Sequence, residues 1–259
     1  IEDAQAAAVL VTAAPGMGKS RLRYEFLKRA RGLDSELLVL FGRSELMGSG
    51  SSYALLRQAL CRLCGVVESE PAERQQRKID ARVGMHLQGA ERLWVAEFLG
   101  ELCAIPFPAA GRVQLQKARQ DPRLMGEQVS QALVEFLRAE SSAQPVMLVL
   151  EDIHWADSLS IKLVERALRE LESQRLFVLS LARPEVRDVF PDLWDGKALE
   201  IPLRGLTRKA CERLVLEVLG RDTPPERGST ASASRSGWRC GTSWRTTALA
   251  TARRWSRTC

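Results

Sequence analysis

The clearest candidate for chemistry in this sequence is the stretch TAAPGMGKS at residues 12–20. It matches the phosphate-binding pattern G-x-x-x-x-G-K-[ST] except at the first glycine position, which holds Ala13. Gly16 and Gly18 allow the backbone to curl close to an anion without a Cβ clash. Ala13 is expected at the exit of a strand, where a small residue with a negative φ suffices, so we interpret the substitution as a minor variation.

Lys19 and Ser20 follow the turn and open a helical pattern. Backbone N–H groups of the turn and of the helix N-terminus would bind phosphate oxygens. Lys19 would bridge the β- and γ-phosphates, and Ser20 would place its hydroxyl on Mg²⁺. The alternative is a glycine-bearing turn that joins a strand to a helix and binds nothing. The predicted nucleotide-binding residues are Pro15, Gly16, Met17, Gly18, Lys19, Ser20 and Arg21.

A second candidate group lies within PVMLVLEDIHWADS at residues 145–158. Glu151 and Asp152 directly follow an apolar run, and ligands of open α/β sheets gather at the carboxyl ends of the strands. Carboxylates there can hold Mg²⁺ and orient an attacking water, so both are predicted catalytic and metal-binding residues, with Ser20 as a further metal ligand. The division of roles is open; we favour Glu151 at the metal and Asp152 at the water. The alternative is a surface acidic pair.

The residues after the acidic pair are given structural interpretations. Trp155 is predicted to be a packing anchor rather than a base-stacking surface. Asp157 is predicted to cap a helix that begins near Ser158. His154 is predicted to be a packed or hydrogen-bonded imidazole rather than a general base.

Short apolar runs predict five strands, at 7–12, 37–41, 146–150, 176–182 and 199–203. They lack the alternation of half-exposed strands, which indicates a parallel sheet covered on both faces. Helical patterns separate the strands, at 21–30, 160–171 and 209–220. The first helix has an apolar stripe of Leu22, Phe26 and Ala30. The second has an apolar stripe of Ile161, Val164, Leu168 and Leu171. The third ends at Gly220, a candidate C-cap. The order predicts an α/β domain whose five-stranded parallel sheet is sandwiched by helices.

The stretch at 43–145 is too long for one crossover and carries helical patterns at 53–65, 91–103 and 124–140. We therefore predict a helical insertion between the second and third strands of a domain that covers residues 1–222. No repeat period is evident.

The last part of the chain has a different composition. Residues 221–259 contain eight Arg and two acidic residues and so carry the whole formal charge of +6, whereas residues 1–220 contain 30 basic and 30 acidic residues. A neutral body argues against a net basic field for nucleic acid. Residues 223–259 are predicted to be a disordered basic tail. They are either a natural tail or, as we favour, the out-of-frame product of a GC-rich gene, which one clean reading frame at the locus would disprove.

The six cysteines are scattered rather than spaced as a disulfide framework, which favours a reducing cytoplasm. Cys61 and Cys64 form a C-x-x-C pair, but a zinc site would need a second pair of ligands, so two thiols on a partly buried helix are expected. The sequence contains no apolar run long enough to span a bilayer and no signal peptide.

PGMGKSRL and LEDIHWADS together resemble the signal-transduction ATPases with numerous domains, a regulatory branch of the P-loop NTPases (ASCE type) related to AAA+ proteins. The resemblance is closest to the ATPase module of large bacterial, myxobacterial-type Ser/Thr protein kinases, in which tetratricopeptide repeats often follow. It covers residues 7–222 and includes the ARPE string that begins at Ala182.

The resemblance implies ATP and Mg²⁺ as cofactors and a third catalytic residue, because Arg183 lies where this family carries a sensor arginine for the γ-phosphate. It implies a signalling switch that is a fragment of a larger regulator or kinase, with other domains or proteins as partners. The chain itself has no H-R-D or D-F-G kinase motifs. In this family a helical lid follows the position of residue 220, and here the altered tail takes its place, so we expect slow ATP hydrolysis. The alternatives are a non-hydrolytic scaffold with an incomplete lid and a DNA-processing ATPase, which the neutral body disfavours.

Overall fold

The computed structural model describes residues 5–45, 52–194, 196–205, 207, 209–210 and 213. The chain divides into two units, Ile1–Arg204 and Gly205–Cys259, and nearly all of the second unit lies outside the described residues. The predicted C-cap at Gly220 and the predicted tail at 223–259 lie outside them as well. The domain boundary near residue 222 therefore stays a prediction.

Five parallel strands form one sheet in the order β2-β3-β4-β1-β5. This confirms the predicted five-stranded parallel sheet. The central strand β4 is almost wholly buried and its neighbour β3 is buried along its whole length, as the unbroken apolar runs predict, whereas the edge strand β5 is mostly exposed. The strands are β1 Ala7–Thr12, β2 Leu38–Arg43, β3 Val146–Glu151, β4 Leu176–Ala182 and β5 Ala198–Pro202.

Helices connect the strands, and in the described residues between β2 and β3 five helices form the predicted insertion. The insertion begins after Arg43, which belongs to β2, rather than at it. No helix in the described ranges is long and apolar enough to cross a membrane. The helices are α1 Lys19–Leu33, α2 Ala54–Leu63, α3 Ala72–Val83, α4 Gly89–Leu102, α5 Val113–Gln120, α6 Pro122–Ala143, α7 Ser158–Glu170 and the single turn α8 Val186–Val189.

The two faces of the sheet are covered unequally. One face and the insertion share the main core, to which α7 contributes Ile161, Val164 and Leu168 of its predicted stripe, and Leu171, the fourth member, is buried directly after the helix. The other face has a small cluster of five buried residues, and α1 covers it without burying any residue of its own. The stripe predicted for α1 is only partly right. Leu22 and Phe26 are 39% and 38% exposed, and the helix packs instead through Leu27 and Ala30.

A buried ion pair joins α3 to α6 in the insertion. Glu140 is fully buried, and its two oxygens accept from Nε and Nη2 of Arg82 at 2.8 and 2.5 Å. Gln144 donates a further hydrogen bond of 3.2 Å to the same carboxylate. The bidentate contact and the amide donor together satisfy both oxygens of this carboxylate in the core.

The C-x-x-C pair is structural in character. Cys61 lies on α2 and Cys64 directly follows it, and both are half-buried free thiols. Burial raises the pKa of Cys64 to about 12, which keeps this thiol protonated and unreactive. Within the described ranges no group of three or more His, Cys, Asp or Glu side chains is arranged to hold a metal ion.

We predict that Glu140→Gln lowers the free energy of unfolding by about 3 kcal/mol, because the Arg82 guanidinium, whose side chain is 15% exposed, loses its counter-charge. Asp80→Asn is the matched control, since the Asp80–Arg92 pair has 32% and 34% exposed side chains. That change is expected to cost less than about 1 kcal/mol. Urea unfolding of both variants provides the comparison, and equal losses would contradict the prediction.

Candidate functional site

The loop between β1 and α1 has the backbone conformation that its glycines predict. Gly16 and Gly18 have φ values of 80° and 91°, in the left-handed region that favours glycine. Gly18 is the N-cap of α1 and has no side chain to bond to the first turn of the helix. No side chain at the cap therefore accepts hydrogen bonds from the first backbone N–H groups of α1, which point toward the loop.

Ala13 continues the sheet rather than the turn. Its N–H donates to the carbonyl of Ala182 at 3.1 Å, and its side chain is 3% exposed. It is not among the residues with positive φ. A small L-residue therefore fits this position without strain, as the sequence interpretation requires.

The Lys19 ammonium folds back onto the loop that carries it. Nζ donates to the carbonyls of Ala13 at 2.6 Å and of Ala14 at 3.2 Å. Burial lowers the pKa of Lys19 below that of an ordinary lysine, and the negative charge of Asp152 acts in the opposite direction. Arg183 and Glu151 also contribute to this shift, which places Lys19 within electrostatic reach of all three predicted catalytic groups.

Two arginines hold the acidic pair at the end of β3. Glu151 is the last residue of the strand, its side chain is 7% exposed, and Oε1 lies 3.1 Å from Nε of Arg23 on α1. Asp152 follows with a φ of 56°, a left-handed conformation that Asp tolerates better than most residues. Its Oδ2 accepts from Nε of Arg43, the last residue of β2, at 3.0 Å. The two carboxylates therefore pair with different arginines, Arg23 and Arg43.

Arg183 directly follows β4 and stacks on an aromatic ring. Its guanidinium carbon lies 4.9 Å from the centre of the Trp155 ring. Its backbone N–H donates to Nδ1 of His154 at 3.4 Å. His154 is buried, and burial lowers the pKa of its imidazole, which favours the neutral ring that can accept at Nδ1. These contacts agree with a hydrogen-bonded imidazole and with Trp155 as an anchor.

Asp157 caps two helices. At the start of α7 it accepts from the backbone N–H of Ser160 at 2.8 Å and from its hydroxyl at 2.7 Å, which confirms the predicted cap. The same carboxylate accepts from the backbone N–H groups of Tyr53 at 2.9 Å and Leu55 at 3.4 Å, at the start of α2. A single buried side chain therefore joins the segment after β3 to the insertion.

The structure brings together four of the predicted site residues, Lys19, Glu151, Asp152 and Arg183. The remaining predicted residues stay on the exposed surface of the loop and the first turn of α1, and they are Pro15, Gly16, Met17, Gly18, Ser20 and Arg21. The Arg21 side chain turns away along α1, where it pairs with Glu25 at 2.6 Å.

Arg23 and Arg43 are site residues that the sequence interpretation missed. Arg43 is the last residue of β2. Ligands gather at the carboxyl ends of parallel strands, which applies to this strand end as it does to the acidic pair. Arg43 was missed because the predicted strand ended at residue 41. Arg23 lies one helical turn after Lys19, so it shares the face of α1 on which Lys19 lies. Both signals are present in the sequence.

The donor set fits a hard divalent cation. Two carboxylates lie at one edge of the sheet, and the hydroxyl of Ser20 opens the neighbouring helix. Oxygen donors of these types are the ligands that Mg²⁺ accepts in nucleotide sites. Because Arg23 and Arg43 now neutralise the carboxylates, a cation would compete with them for the same oxygens.

Three comparisons with known proteins gave matches, and one of them shows the family. The chain is 24% identical over 180 residues to an uncharacterized protein of Rhizobium meliloti (strain 1021), a match that covers 70% of this chain and 16% of that protein. Among solved structures, VirB4 of Thermoanaerobacter pseudethanolicus is similar, with a TM-score of 0.29, 12% identity and coverage of 81% of this chain and 79% of that chain. A family model described as an AAA ATPase domain matches residues 1–179. The chain therefore belongs to the AAA ATPase domain family, whose members bind nucleotide and usually Mg²⁺.

Proposed function

We propose that this domain binds Mg·ATP at the carboxyl edge of its sheet and acts as a nucleotide-dependent signalling switch. The observation that supports this most is the convergence of Lys19, Glu151, Asp152 and Arg183 beside the glycine turn. Backbone N–H groups of the turn and of α1 would bind phosphate oxygens. Lys19 would exchange its two carbonyl acceptors for β- and γ-phosphate oxygens.

In this proposal, Glu151 and Asp152 have different partners without and with bound nucleotide. Without nucleotide, Arg23 holds Glu151 and Arg43 holds Asp152. With nucleotide, Ser20 and Glu151 would hold Mg²⁺, which supplies charge neutralisation for the phosphates. Asp152, released by Arg43, would orient water, and Arg183 would contact the γ-phosphate. The exchange of partners gives the switch two states with different contacts at the ends of β2 and β3.

The remaining parts of the proposal concern the context of the domain. We infer slow hydrolysis, because Asp152 must leave Arg43 before it can act as a base. We further propose that the domain belongs to a larger cytoplasmic regulator or Ser/Thr kinase in which other domains, such as tetratricopeptide repeats, receive the signal. The resemblance of PGMGKSRL and LEDIHWADS to signalling ATPases supports this context.

A scaffold that does not hydrolyse ATP is the second candidate. The observation in its favour is that the protein itself satisfies the candidate groups, since carbonyls hold Lys19 and arginines hold both carboxylates. Such a site needs no ligand to be stable. The two candidates differ in whether loss of Lys19 changes nucleotide binding.

We predict that Lys19→Ala weakens Mg·ATP binding by about 100-fold, because a charge-assisted contact to the phosphates is lost. The matched control is Lys28→Ala, which removes the same charge from an exposed position on the same helix and should leave binding unchanged. Isothermal titration calorimetry measures all three proteins. Equal and negligible binding by wild type and Lys19→Ala would disprove the switch and favour the scaffold.

We predict that the two acidic residues have separable effects. Glu151→Gln should weaken the Mg²⁺-dependent part of ATP binding by about 10-fold, whereas Asp152→Asn should leave binding nearly unchanged and slow single-turnover hydrolysis by about 100-fold. Glu172→Gln, an exposed carboxylate that precedes β4 at the opposite edge of the sheet, is the control. Titrations with and without Mg²⁺ and rapid-quench assays distinguish the effects. The reverse pattern would exchange the two roles.

A further inference from the structure

We infer that Trp155 is a positioning residue that presents the guanidinium of Arg183 to the γ-phosphate. The inference rests on the proposed function, because it assigns a role in nucleotide discrimination to a residue that is not expected to contact the nucleotide. Its basis is the stacking of the Arg183 guanidinium on the Trp155 ring, with 4.9 Å between the guanidinium carbon and the ring centre.

Stacking leaves the binding edge of the guanidinium unused. An arginine that lies over an aromatic face keeps its N–H donors in the plane of the group, where they can meet phosphate oxygens. In the described part of the chain the Arg183 side chain makes no hydrogen bond or ion pair with an oxygen. The other three cations of the site all have oxygen partners, namely carbonyls for Lys19, Glu151 for Arg23 and Asp152 for Arg43.

The turn that carries the Trp155 ring is itself held in place by hydrogen bonds. Trp155 lies in a single 3₁₀ turn, Ile153–Trp155, and its backbone N–H donates to the carbonyl of Asp152 at 2.9 Å. The rings of Trp155 and His154 are in contact, with centres 4.5 Å apart. On the C-terminal side, Asp157 is bound at the starts of two helices. A ring that contacts His154 and lies on a turn bonded at both ends can restrict the side chain that stacks on it.

The backbone of Arg183 is held from the same turn. Its N–H donates to Nδ1 of His154, so two consecutive residues contact the backbone and the side chain of one arginine. The arrangement reduces the conformational entropy that Arg183 would lose on contact with phosphate. The loss of the stack should therefore affect nucleotides that carry a γ-phosphate and spare those that lack it.

The test compares the binding of ADP and of β,γ-imido-ATP, both with Mg²⁺, to the full chain by calorimetry. Trp155→Leu removes the aromatic face, and we expect it to reduce the preference for the triphosphate by about threefold to tenfold, while ADP affinity changes by less than about twofold. Trp155→Phe keeps an aromatic face and should retain most of the preference. Trp94→Leu, at a half-buried tryptophan of α4, is the matched control and should have no effect.

Two further measurements separate positioning from general damage to the fold. In an Arg183→Ala background, Trp155→Leu should cause no additional loss of triphosphate preference, because the residue to be positioned is gone. In the nucleotide-free protein, the ring current of Trp155 should shift the NMR signals of the Arg183 side chain upfield, and Trp155→Leu should remove that shift. Absence of the upfield shift in wild type would overturn the inference even if the leucine variant did not fold.

The outcomes also separate this inference from the proposed function. If wild type binds neither nucleotide, the proposed function fails and the positioning role fails with it. If wild type prefers the triphosphate and Trp155→Leu keeps that preference, only the inference is overturned. An equal loss of affinity for both nucleotides in Trp155→Leu would show a structural role and would also overturn it.

Discussion

The parallel register of β3, β4 and β1 is the constraint on which the candidate site depends. It pairs Glu151 with Leu181 and Thr12 with Ala182, so the three strands end at one edge within one or two residues of each other. The glycine turn, the acidic pair and Arg183 each follow directly from these strand ends. A slip of one residue would turn every side chain of a strand to the opposite face. Because both faces are packed, such a slip would place each side chain against the wrong neighbours on the opposite face, and this specific packing fixes the register.

Charge compensation is the second condition that the strand ends impose. Lys19, Arg23 and Arg43 lie near two carboxylates at this edge, where Glu151 is buried, and an unpaired charge on Glu151 would be costly. The protein meets this condition by pairing each carboxylate with a different arginine and by turning Lys19 to backbone carbonyls. The protein's own groups therefore satisfy these charges, and a ligand bound by the same groups would replace existing contacts.

The sequence predicts the parts of this molecule that depend on local pattern. Unbroken apolar runs located all five strands to within two residues, and the stripe of α7 became its buried face. Contacts between segments that are far apart in the sequence could not be predicted from local pattern. The ion pair of Arg82 with Glu140 joins residues 58 positions apart, and no local pattern marks either residue as buried. The stripe of α1 was misassigned for a related reason, since the sheet face under it is small and leaves Leu22 and Phe26 partly exposed.

The insertion is connected to the candidate site through α2. Asp157 accepts from the backbone of Tyr53 and Leu55, and Gln58 accepts from the backbone N–H of Arg43 at 2.6 Å. The first two turns of α2 are thus bonded both to the segment after β3 and to the end of β2, where Arg43 contacts Asp152. Tyr53 adopts a φ of 60° there, a conformation that a bulky residue keeps only when its surroundings hold it. If the residues between Asp152 and Asp157 move, the starts of both α2 and α7 must move with them, because Asp157 is bonded to both. The helix α2 therefore connects this edge of the sheet directly to the helical insertion.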